Sequence, residues 1–116
     1  MFNLFHSKKE FAIENYALKI HLEFGENFGK DISEKLKKKF PNIKENEINN
    51  CKNLVENIEK ECWNCIDFNG PQINIEQLND SLFEKVFKKY TWINKQNQSN
   101  IFSKISYYFW KDGVLK

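Results

Sequence analysis

The chain has 116 residues, 41% hydrophobic and 29% charged, with a formal net charge of +2. That length supports one ordinary core without disulfide or metal staples, and eleven Phe, four Tyr and three Trp exclude disorder across the whole chain. Every one of the 18 basic side chains is Lys; without the planar Arg fork that reads phosphate and guanine, a dedicated nucleic-acid reader is disfavoured.

The first residues, Met1 to Lys9, place apolar side chains before basic ones. A secretory signal has the reverse order and a longer apolar run. No stretch approaches the ~20 apolar residues of a membrane span, so a cytoplasmic location is expected. Three Cys, an odd number, fit free thiols in a reducing compartment.

The dominant hydrophobic period is helical, which predicts an all-α fold: a single-domain four- to five-helix bundle over residues 1–116. Ser7 and Glu10 form a capping-box pattern, predicting a first helix over about residues 8–24 that ends near Gly25. This segment carries two apolar stripes: Ile13, Tyr16, Ala17, Ile20 and Phe24 on one side, and Phe11, Leu18 and Leu22 nearly opposite. A helix in a small bundle needs one such face. Either this helix is central, or the Phe11, Leu18, Leu22 stripe meets a partner, with a homodimer as the simplest case.

A second helix is predicted over about 27–40, with Phe28, Ile32, Leu36 and Phe40 spaced by four and Pro41 as its stop. Lys37, Lys38 and Lys39 at its end complement the helix dipole. The third helix, about 44–67, has the clearest pattern. Ile48, Cys51, Leu54, Val55, Ile58, Cys62, Cys65 and Ile66 fall within an arc of about 120°. The middle of the chain, residues 41–75, is also its acidic part, with three Lys against six acids.

Asn69-Gly70-Pro71 marks a turn. A fourth helix is predicted over about 75–90, with Leu78, Leu82, Phe83, Val86, Phe87 and Tyr90 on a wide arc. A polar connector, Asn94 to Asn100, leads to a fifth over about 99–112. Gly113 sits where a glycine terminates a helix. On this last helix Ile101, Phe102, Ile105, Tyr108 and Phe109 form the core face, while Tyr107 and Trp110 point elsewhere.

No residue pattern specifies catalysis. Cys62-Trp63-Asn64-Cys65 is a C-x-x-C, but it lies near the C-terminal end of a helix, where the dipole disfavours a thiolate, and no βαβ pattern surrounds it. A structural zinc needs about four ligands, and His6, His21 and Cys51 supply no second pair at finger-like spacing. No metal, cofactor or catalytic residue is therefore expected. Surplus aromatics point instead to protein binding: Trp63 lies off the main arc beside Glu56 and Glu59, and Tyr and Trp are enriched where interfaces concentrate their energy. The expected site is Glu56, Glu59, Trp63, Tyr107 and Trp110, with an acidic rim that steers a basic partner. By analogy of size and composition, an immunity or antitoxin protein covering the active site of a toxin fits best. A homo-oligomeric or regulatory helical domain is the alternative, ahead of nucleic-acid binding or catalysis.

Overall fold

A computed structural model describes residues 11–23 and 32–116. The chain is all-α, as its periodicity requires. Among the described residues there are five α-helices, α1 (Ala12–His21), α2 (Ser33–Lys39), α3 (Glu45–Trp63), α4 (Ile75–Leu82) and α5 (Lys95–Lys111), and no named strand. The Ser7–Glu10 capping pattern and the parts of the first two expected helices over 8–10, 24 and 27–31 lie outside the described residues. No described helix is long and apolar enough to cross a membrane. The chain divides into two compact units, Met1–Asn57 and Ile58–Lys116.

In the first unit α1 packs against α2. Both stripes of α1 face inward: Ala17, Leu18, Ile20 and Leu22 are buried, and Phe11, Ile13 and Tyr16 are half-buried. A helix that is apolar all round lowers its free energy by central burial. In the Phe11, Leu18, Leu22 stripe Leu18 and Leu22 are thus buried within the chain and Phe11 is half-buried. The end of α2 follows from Pro41. Phe40 is extended at φ −125°, ψ 82°, because the proline ring disfavours helical geometry in the residue before it.

The long helix α3 places Ile48, Cys51 and Val55 in the core of the first unit and Ile58 and Cys62 in that of the second; Leu54 is only half-buried. It stops at Trp63, four residues before the periodicity suggests. The Cys65 amide bonds the Cys62 carbonyl at 3.3 Å, tightening the last turn. Just beyond it, the Asp67 carboxylate accepts from the Asn69 amide at 2.9 Å, and the Asp67 carbonyl accepts from Gly70 at 3.1 Å. A short polar side chain that bonds nearby backbone competes with helix continuation.

In the second unit α4 opens with a capping box. The Asn74 side chain accepts from the Gln77 amide at 2.8 Å, and the Gln77 side chain accepts from the Asn74 amide at 2.9 Å. It runs directly into a π turn, Phe83–Phe87, in which the Lys88 amide reaches the Phe83 carbonyl at 2.8 Å. Leu78, Leu82 and Val86, spaced by four, are buried. Phe83, one residue round from that stripe, faces solvent, and Phe87 and Tyr90 are half-buried. The buried face is thus narrower than the apolar arc read from the sequence.

The segment Asn94 to Asn100 is not a connector. Asn94 is the N-cap of α5, its side-chain oxygen accepting from the Asn97 amide at 2.8 Å, and helix begins at Lys95. Asn satisfies an otherwise orphaned first-turn donor, so a polar run after a good cap is helix. At the other end Gly113 has φ +79°. Its amide bonds the Trp110 carbonyl at 3.1 Å, and the Val114 amide bonds the Phe109 carbonyl at 2.8 Å, the paired bonds of a Schellman motif. The following tail is pinned to the segment before α4: Ile73 donates to Val114 and Lys116 donates to Ile73, each at 3.0 Å.

Candidate functional site

Within the second unit α4 packs on α5, and α5 carries the side chains that meet the end of α3. Trp63 is the junction. Its ring lies edge-to-face with Tyr108 at 5.7 Å between centroids and with Phe109 at 5.8 Å. Phe68 also meets Phe109, at 5.3 Å, and Tyr107 meets Tyr108 at 5.2 Å. Five rings therefore form one continuous cluster, Tyr107–Tyr108–Trp63–Phe109–Phe68. Phe109 within it is fully buried, while its ends, Tyr107 and Phe68, are 52% and 48% exposed. Trp110 is 62% exposed and lies three residues from Tyr107 on α5, so the two share a side of the helix.

The expected site residues thus separate into roles. Tyr107 and Trp110 are on the surface, beside a cluster into which Trp63 is built. Glu59 is not a free rim charge: it accepts from the Trp63 indole N–H at 3.0 Å and is half-buried. It also faces Lys104, which is 1% exposed on the inner side of α5. Burial pushes the Lys104 ammonium below its ordinary pKa range, and the negative charge of Glu59 resists that shift. A buried ammonium is costly unless compensated, which gives Glu59 an internal electrostatic task besides orienting Trp63. Glu56, one turn earlier on α3, is exposed.

Two features of this unit were not singled out from the sequence. Lys104 follows Ile101 and precedes Ile105 on the apolar face, so its position in the period was the only signal. The second is a polar clasp. Glu61 on α3 accepts from Lys89 at 2.7 Å and from the Tyr90 hydroxyl with its other oxygen. The Lys89 bond, then the Tyr90 bond, hold the Glu61 carboxyl below its usual range. Burial, then the bond to Glu61, raise Tyr90.

The three cysteines are free thiols and all are buried. Burial is the main cause that raises them, Cys51 and Cys65 to about 11 and Cys62 to about 12. A nucleophilic or metal-binding cysteine needs the opposite shift. Among the described residues no group of three His, Cys, Asp or Glu side chains is placed to hold a metal ion.

No protein-family model matches the chain, and comparisons with curated proteins and with solved structures likewise give no match.

Proposed function

We propose that this protein is a small binding module, not a catalyst, that docks a protein partner through the exposed end of the α5 aromatic cluster. The supporting observation is Tyr107 and Trp110, both more than half exposed one helical turn apart, with Tyr107 packed on the Tyr108 ring of the cluster. Large aromatic side chains presented on a rigid support gain contact area at little entropic cost. The specific form of the proposal is an immunity or antitoxin protein that neutralises a toxin by covering its active site. Its support is the acidic middle segment, residues 41–75, with three Lys against six acids, together with the exposed aromatic pair. A cytoplasmic location belongs to the same reading, and three free thiols suit it. Because Glu59 is committed internally, any acidic steering falls to exposed carboxylates such as Glu56.

The test is affinity capture from the source cell with the wild-type chain and with a Tyr107→Ser/Trp110→Ser variant, both shown to be folded. A partner retained by the wild type should bind the variant about 30-fold more weakly, the equivalent of about 2 kcal/mol. Equal capture by both would refute the aromatic docking face. A captured partner that is another copy of the chain would favour the regulatory, homo-oligomeric reading.

A further inference from the structure

The first unit holds a cavity of about 420 Å³ between the C-terminal halves of α1 and α2. The described residues lining it are Tyr16 and Ile20, which give an apolar wall, and Lys19, Lys35, Lys38 and Lys39, which surround it, with Glu23 as the one acid. From these residues we propose that the cavity binds a small anion carrying an oligophosphate group.

The charge balance decides between a ligand site and lysines present only to stabilise helix ends. Each helix C-terminus carries about half a negative charge, which attracts lysines with no ligand. Glu23 takes a further unit, its carboxylate 3.7 Å from Lys35. Among the described lining residues, four lysines against one carboxylate and two helix ends still leave about +2 charges. Lys37, the α2 lysine that does not line the cavity, is instead paired, 3.8 Å from Glu45. The cavity volume is in the range of small-molecule sites, too small to enclose a macromolecule.

The wall also has shape. Tyr16 is held edge-to-face by Phe40 at 5.7 Å, and the Lys39 ammonium lies 5.7 Å from the Tyr16 ring centre. Lys39 is thereby tied by a cation–π contact to a ring that lines the cavity. Lysine acts as a point charge on phosphate oxygens and reads no particular geometry. The site consequently selects charge density, with the organic part of a nucleoside polyphosphate resting on Tyr16 and Ile20 as an additional contact.

The test is a two-dimensional amide NMR titration of the full chain with inorganic tripolyphosphate, ATP and adenosine, at about 20 mM and about 200 mM salt. Tripolyphosphate and ATP should both give saturable shifts over residues 16–23 and 35–39, weakening several-fold at the higher salt, and adenosine should give none. Tighter binding of ATP would identify an organic polyphosphate as the ligand, and equal binding an inorganic one. Lys19→Glu/Lys38→Glu should lose about tenfold in affinity, whereas Lys95→Glu/Lys116→Glu, the same charge change in the second unit, should lose less than about threefold. An absence of saturable shifts, or equal losses in both double variants, would overturn the proposal. So would a single-stranded oligonucleotide that binds far more tightly than ATP and shifts amides of both units. The amide spectrum of each variant reports its folding in the same experiment.

Discussion

Trp63 and Trp110 are both indoles near the same helix junction, and the structure gives them opposite energetic roles. Replacing Trp63 by Ala removes a 3.0 Å hydrogen bond to the Glu59 carboxylate, a class of bond that contributes about 1.5–3 kcal/mol. It also removes two edge-to-face ring contacts, to Tyr108 and Phe109, each about 0.5–1.5 kcal/mol. Trp63→Ala should therefore cost about 3–5 kcal/mol, the usual span for emptying a packed aromatic site. Trp63→Phe keeps a ring but not the indole donor, and should fall between that variant and wild type. Trp110 is 62% exposed, so Trp110→Ala should stay within about 0.5 kcal/mol. Urea unfolding followed by far-UV circular dichroism reads these values directly. For a domain of this size a loss of about 3 kcal/mol lowers the midpoint by about 1 M or more. A Trp63→Ala midpoint within about 0.3 M of wild type, or a Trp110→Ala variant equally destabilised, would refute this division of roles. It would also undo the reason for probing binding at Tyr107 and Trp110 and not at Trp63.

Asn94→Ala should cost about 1 kcal/mol through loss of the α5 cap, measured by the same unfolding curve; no change would mean that the helix does not begin at Lys95. Gly113→Ala meets no side-chain or backbone obstacle within 4 Å, so its expected cost of about 1–2 kcal/mol arises from the +79° φ alone, and a neutral result would contradict that backbone geometry. The buried thiols should react slowly with thiol reagents at neutral pH. Because the folded thiols keep their protons up to about 11 or 12 while their ordinary value is 9.0, stability from this source is complete below pH 9 and is lost as pH rises toward those values. Lys104, shifted down by burial, acts in the opposite sense, so Cys62→Ala, measured at pH 8 and pH 10, isolates the thiol: its stability should fall less with pH than that of the wild type.

Much of the local structure was legible in the residues. The all-α class follows from a 3.6-residue period, and Pro41 and Gly113 end α2 and α5 through backbone geometry that proline imposes and glycine permits. Asn94 was equally legible as a cap and was obscured by the polar residues behind it, since composition reads as loop where a single well-placed acceptor starts a helix. Other features were not local. Whether the second stripe of α1 was surface or core depended on burial across a whole unit, and Leu18 at 0% exposure settles it. The apolar arc of α3 marked Ile58 and Cys62 as core without showing that the helix would yield to the Asp67 turn after Trp63. The residues of the expected site were named from their positions off the core faces, but their roles required tertiary contacts. Trp63 meets Tyr108 and Phe109 from more than forty positions away in the chain, and Glu59 is committed to the Trp63 indole rather than left at a rim. Periodicity assigns a side chain to a face, because helix geometry is set by neighbours three and four residues away. What covers that face, and whether a charge on it meets water or a buried lysine, is set by segments distant in sequence, and only the folded chain brings them together.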